Sequence, residues 1–116
     1  MTGGADINPL LPPSMYLVVL VTAPREEAEK IARRVLERRV AACVNLAPVK
    51  SMYWWEGKIE EGEESLLVIK TTTDRLNDLV KEVRAAHPSQ VPEIIALPVV
   101  GGHKPYLEWV EREAHA

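Results

Sequence analysis

Two β-prone arms flank Trp54-Trp55-Glu56-Gly57-Lys58, and no other feature of the chain restricts its fold as much. One arm is Ala41-Ala42-Cys43-Val44-Asn45-Leu46 continuing to Met52-Tyr53; the other is Ser65-Leu66-Leu67-Val68-Ile69-Lys70-Thr71-Thr72-Thr73. A glycine midway between two such arms predicts one long β-hairpin. Unbroken, each arm would span on the order of 50 Å at the rise of an extended strand, whereas a helix of about fifteen residues covers only ~22 Å. Much of the arm must find another cover, and a projecting apolar ribbon on so small a protein predicts self-association. Pro48 and Gly62 are the expected bends. Pairing counted symmetrically about Gly57 places Cys43 near Thr71 and Val44 near Lys70.

The 116 residues suffice for one domain with a real core and leave no room for a second. A net charge of −3 without a basic cluster argues against a nucleic-acid partner, since neutralising phosphates takes several Lys or Arg on one face. No apolar run is long enough to span a bilayer; the longest, around Val91 to Val100, is broken by Pro92 and Pro98. Met1 to Asp6 lacks a basic n-region with a following apolar stretch, and the lone Cys43 cannot form an internal bridge, so a reduced, cytoplasmic protein is expected.

Residues 1–14, with Gly3, Gly4, Pro9, Pro12 and Pro13, are expected to form a loose, disordered tail, leaving 15–116 as the folded domain. Met15 to Thr22 is a continuous apolar run suited to a central strand. Pro24, Glu26 and Glu27 open a helix with Ala28, Ile31, Ala32, Val35 and Leu36 at helical spacing, and four arginines crowd its end. After the hairpin, Thr73 or Asp74 can cap a second helix carrying Leu76, Leu79, Val80 and Val83, which ends at His87 before Pro88. Val91 to Leu97 reads as a last strand, and Pro105 opens a short helix with Tyr106, Trp109 and Val110 on one face. This β-α-β-β-α-β order with an added terminal helix predicts an α+β, ferredoxin-like sandwich. Aliphatic residues on both faces of its strands would leave one sheet face bare, which predicts a symmetric homo-oligomer packed through sheet faces and hairpin edges.

Ala41-Ala42-Cys43-Val44-Asn45, then Tyr53-x-Trp55-x-Gly57, Ile69-Lys70-Thr71, His87-Pro88, Val91-Pro92-Glu93-Ile94-Ile95 and Tyr106-Leu107-x-Trp109 together resemble the CutA divalent-ion tolerance proteins. The resemblance covers nearly everything from Tyr16 to Glu113. It implies a ferredoxin-like subunit in a tight homotrimer, similar in shape to the PII signalling proteins, with the hairpin reaching a neighbour and a link to copper and other divalent cations. Two departures stand out. Ser89-Gln90 follow His87-Pro88 where the family commonly has an aromatic residue and then a variable or acidic one, which implies a more open and polar cleft; the N-terminal tail is also extra.

Cys43 offers a soft thiolate suited to copper and His87 a compatible imidazole, the alternatives being a small buried hydrophobe and a helix C-cap. Glu93, at the head of an apolar strand, either meets a cation or pairs with Lys70, the pairing being the favoured expectation. Lys70 could otherwise hold an anionic ligand. Tyr53 and Trp55 share one side of their strand and Trp54 the other, as expected of interface anchors. Tyr106 and Trp109 join Lys70, Tyr53 and Trp55 as expected cleft or interface residues. The run Glu60-Glu61-Gly62-Glu63-Glu64 reads as a solvated acidic loop, and His103 and His115 as peripheral. There is no Gly-rich phosphate loop, CxxC pair, HExxH or nucleophile elbow, so an enzyme has little support. The expectation is a trimeric protein binding divalent metal ions, Cu(II) foremost, at inter-subunit clefts of Cys43, His87 and Glu93. The rivals are a PII-like sensor with an anionic metabolite on Lys70, and a structural trimer.

Overall fold

A computed structural model describes residues 15–116; the disordered tail expected over 1–14 lies outside the described residues. The elements are β1 (Tyr16–Ala23), α1 (Arg25–Glu37), β2 (Cys43–Trp55), β3 (Lys58–Thr72), a 3-10 turn (Thr73–Arg75), α2 (Leu76–Ala86), β4 (Ile94–Pro98) and α3 (Lys104–Glu113). The strands form one antiparallel sheet in the order β2-β3-β1-β4. This is the expected ferredoxin-like βαββαβ arrangement with a C-terminal helix added.

Strand alternation decides what each face carries. Leu17, Val19, Val21 and Ala23 of β1 and Leu67 and Ile69 of β3 are buried in one core with Ala28, Ile31, Ala32 and Val35 of α1 and Leu79 and Val83 of α2. The opposite face is partly covered by α3, which packs on β3 and buries Val110. Val18, Leu20, Leu66 and Val68 on that face remain half-buried, and Ile95 and Leu97 of β4 are exposed. We call this the open face.

Helix α1 ends in a tight reversal. Val40 N–H donates to the Val35 carbonyl and Arg39 N–H to the Leu36 carbonyl, with Arg39 in the left-handed region at φ 59°. That pair of bonds is the Schellman stop, and it feeds the chain into β2.

The hairpin turn explains the register. Trp55 pairs with Lys58, leaving Glu56 and Gly57 as a two-residue loop with φ of 51° and 80°, as a type I′ turn requires. The pairing therefore centres between these residues rather than on Gly57, and Cys43 faces Lys70 and Val44 faces Ile69, one position from the symmetric count. The ladder passes Pro48, opposite Ser65, and Gly62, opposite Ser51, without interruption. Because β2 is an edge strand, Pro48 needs no ladder donor on its outer side. The acidic run belongs to β3 and is not a loop, with Lys50 pairing Glu61 at 2.9 Å and Arg25 pairing Glu63 at 3.2 Å.

Two other boundaries differ from expectation. A 3-10 turn precedes α2, and neither Thr73 nor Asp74 caps it with a side chain. The last strand begins at Ile94, since Pro92 brings no N–H to a ladder. Among the described residues no helix is long and apolar enough to cross a membrane.

Candidate functional site

Cys43 opens β2 opposite Lys70 of β3, which lies opposite Val18 of β1. The thiol is free and half-buried. Lys70 Nζ donates to Asn45 Oδ1 and lies 4.0 Å from Cys43 Sγ. Asn45 stands two residues beyond Cys43, on the same face by alternation. From α3, Tyr106 comes beside the same residue: burial, then the charge of Cys43 and a side-chain interaction with it, raise the pKa of the phenol above the usual 10. The Trp109 ring lies 5.6 Å from that of Tyr106, tilted by 35°. Cys43, Asn45, Lys70, Tyr106 and Trp109 thus gather where α3 meets the open face.

His87 and Glu93 stand at the other end of β1. His87 Nδ1 accepts the Ser89 backbone N–H at 3.0 Å, so Nε2 carries the proton and donates to the Thr22 carbonyl at 2.7 Å. Thr22 is four residues beyond Val18, about 13 Å along the strand, and Cys43 is two strands, about 10 Å, to the side. Glu93 is exposed and directly precedes Ile94, which pairs with Val21. The pairing of Glu93 with Lys70 is therefore not made: Lys70 is held at the far end by Asn45 and Cys43. Beside His87 a groove of about 780 Å³ is lined by Asn77, Lys81 and Arg84 of α2 and by Ser89 and Gln90.

Among the described residues, no three His, Cys, Asp or Glu side chains converge as a metal site. One subunit offers a lone sulfur beside an ammonium at one end and an imidazole near a carboxylate at the other. On their own these residues do not fit a metal ion.

The aromatic tip is remote from both ends. Trp55 lies twelve residues past Cys43 along β2, on the order of 40 Å of strand. Tyr53 and Trp55 share the face of Cys43, while Trp54 pairs with Ile59 on the other. Trp54 is 73% and Trp55 59% exposed, the largest aromatic exposure in the described chain. His103 only precedes α3, and His115 Nδ1 bonds the adjacent Ala116 oxygen. Sequence reasoning missed Asn45, which its spacing from Cys43 could have revealed, and Thr22, whose role as a backbone acceptor leaves no side-chain signal.

The model of the CutA1 divalent ion tolerance protein family matches residues 17–113. A divalent-cation tolerance protein CutA of Archaeoglobus fulgidus is 44% identical over 98 residues, covering 84% of this chain and 96% of the relative. A solved structure described as the periplasmic divalent cation tolerance protein CutA of that organism has a TM-score of 0.85 and 42% identity, covering 87% of this chain and 100% of the other. Protein CutA 1, chloroplastic, of Oryza sativa is 47% identical over 97 residues, 82% of this chain but only 55% of the relative. The apo structure of a PII-like protein CutA from Nostoc sp. PCC 7120 has a TM-score of 0.82 and 33% identity, covering 85% of this chain and 97% of the other.

Proposed function

The chain belongs to the CutA1 divalent ion tolerance protein family, and from that premise we propose that it acts as a homotrimer binding divalent cations, copper foremost, at clefts between subunits. As a member of that family it is a non-enzymatic tolerance protein. In the proposed cleft the Cys43 end of one subunit meets the His87 and Glu93 end of a neighbour. The observation that carries this reading is that the three donors stand at opposite ends of β1, so that a second subunit is what can bring them together. The half-bare open face is the surface a neighbour would cover. His87 can ligate only by releasing Thr22 or the Ser89 N–H, which predicts a local rearrangement on binding. A thiol donor fits work in a reducing compartment, and the cytoplasm is part of the proposal. The names of the archaeal and rice relatives point to the periplasm and the chloroplast for those proteins.

Cu(II) titration of the wild type and of Cys43→Ala, His87→Ala and Glu93→Ala variants, each checked for assembly, tests the reading. Saturation near one ion per subunit and its loss in all three supports the cleft. Unsaturable binding indifferent to the substitutions sinks it. Competition with Zn(II) belongs in the experiment, because Cu(II) outbinds other divalent first-row ions at most nitrogen and sulfur sites.

A second reading takes the cleft as the seat of a small anion, in line with the PII-like name of the Nostoc protein. What favours it is that both ends carry cations: Lys70 beside Cys43, and Lys81 and Arg84 beside His87, with neither of the latter two in an ion pair among the described residues. A thermal-shift screen of anionic metabolites separates the readings, since a ligand of the native state must raise Tm. If neither metals nor anions bind, the chain is left as a structural trimer.

A further inference from the structure

The groove beside His87 is built within a single subunit, between one face of α2 and the stretch 87–92. Lys81 and Arg84 stand three residues apart on that helix, the spacing at which two helical side chains are neighbours. The carboxylates that α2 could offer them are already taken. Asp78 pairs with Arg75 at 3.0 Å, and Glu82 with Arg34 at 2.8 Å and Arg38 at 3.5 Å. Among the described residues Lys81 and Arg84 have no ion-pair or hydrogen-bond partner, and no carboxylate lines the groove. Two positive charges are therefore left uncompensated at a concave surface. Ser89 Oγ accepts the Val91 N–H at 3.3 Å, which leaves its hydroxyl proton to donate, and the Gln90 amide adds further donors. Val80, Pro88 and Pro92 make the apolar part of the same wall.

We infer that this groove takes a small phosphate monoester, its phosphoryl group on Lys81 and Arg84 and its organic body against Val80, Pro88 and Pro92. The inference rests on the anion reading above and adds the end of the sheet, the class of ligand, and a lining that needs no residue from a neighbour. Two unpaired cations call for a ligand with about two negative charges, which a phosphate monoester carries near neutral pH and a simple carboxylate does not. The planar fork of Arg84 matches two phosphoryl oxygens, and Lys81 supplies a point charge beside it. A volume of about 780 Å³ lies within the usual range of small-molecule pockets. His87 only walls the groove, since both of its ring nitrogens are engaged by Thr22 and Ser89.

The test is calorimetric titration of the full-length protein, at fixed ionic strength and about pH 8, with phenyl phosphate, inorganic phosphate and benzoate. The variants are Lys81→Gln and Arg84→Gln, whose side chains hold no partner in the fold, and Lys70→Met at the other end of the sheet, each checked for assembly. Phenyl phosphate should bind the wild type more tightly than inorganic phosphate, which lacks the ring, and than benzoate, which lacks the second charge. At 4 Å even the dielectric of water makes one positive charge worth about fivefold toward a monoanion and roughly thirtyfold toward a dianion. Lys81→Gln and Arg84→Gln should therefore each weaken phenyl phosphate by roughly thirtyfold and benzoate by about fivefold, with Lys70→Met at the wild-type affinity. Binding lost in Lys70→Met and untouched in the two glutamine variants would overturn the groove and leave the anion reading intact. Benzoate as tight as phenyl phosphate would overturn the phosphoryl assignment, and inorganic phosphate as tight as phenyl phosphate would overturn the apolar wall. Absence of binding by all three anions, wild type included, would overturn the groove and the anion reading together.

Discussion

His87 Nε2 donates to the Thr22 carbonyl oxygen at 2.7 Å, tying the end of α2 to the end of β1 across 65 residues of sequence. The same ring accepts the Ser89 N–H at Nδ1, which turns the chain toward β4. Removing the ring leaves a half-buried carbonyl and an N–H without these partners. His87→Ala should therefore destabilise the fold by about 1–3 kcal/mol. His87→Gln, whose amide nitrogen can reach where Nε2 stood, should recover much of that loss. Urea unfolding at fixed protein concentration checks both. If the glutamine variant also keeps full metal affinity, the imidazole is structural and not a ligand.

Arg39 is a non-glycine residue in the left-handed region, bonded through its side chain to Glu113 Oε1 at 2.8 Å. The conformation costs roughly 1–2 kcal/mol for a residue with a Cβ. An ion pair this exposed, 59% and 40% at its two ends, returns at most about 1 kcal/mol. Arg39→Gly should thus leave stability unchanged or raise it slightly, while Arg39→Ala keeps the strain and loses the pair. Unfolding curves should rank the glycine variant above the alanine one by about 1 kcal/mol. A glycine variant less stable than the wild type would mean that the bonds from Arg39 to α3 outweigh the backbone strain.

What the chain discloses before folding follows from how far apart the interacting residues are. The hairpin was legible because its turn and both arms are local. Its register was not, because the loop is Glu56-Gly57 and not Gly57 alone, and a slip of one position moves each partner to the opposite face. The segment from Glu60 to Glu64 looks like a loop by composition and is a strand only because β2 pairs with it. Val91 to Glu93 look like strand by hydrophobicity, but the ladder starts only at Ile94. At the site, alternation within the hairpin brings Cys43, Asn45 and Lys70 together and is readable. The approach of Tyr106 to Cys43, the bond of His87 to Thr22 and the separation of Glu93 from Lys70 depend on strand order and on where α3 packs, which no spacing encodes.

Tyr106 should make the protein sensitive to alkali. Its folded pKa is raised above the ordinary phenol value of 10.0 by burial first and by Cys43 second. Below about pH 10 both folded and unfolded states keep the phenolic proton, so its contribution to stability is complete. As pH rises past that value the unfolded state ionises first, and the contribution is lost through the folded pKa. Tyr16, raised by burial and then by Glu111, acts with the same sign at the same end of the sheet. The expected result is a fall in Tm above about pH 10 that is shallower, though not absent, in Tyr106→Phe. Identical alkaline limbs would show that the Tyr106 hydroxyl contributes no pH-dependent stability.

The hairpin tip should govern assembly and leave the subunit fold alone. Met52, Trp54 and Ile59 on one side of the tip and Tyr53 and Trp55 on the other are exposed in the single chain. They lie beyond the core formed by α1, α2, β1 and β3, so truncating them removes little from that core. Buried tryptophans are the commonest interface hot spots, each worth about 2 kcal/mol or more on truncation. In the proposed homotrimer one substitution acts three times, so Trp54→Ala should weaken assembly by about 6 kcal/mol per trimer. Light scattering across a dilution series should show that variant dissociating at concentrations where the wild type stays assembled, with far-UV circular dichroism unchanged. A Trp54→Ala protein as tightly assembled as the wild type would remove the tip from the interface. The open sheet face, with Ile95 and Leu97, would then have to carry the association by itself.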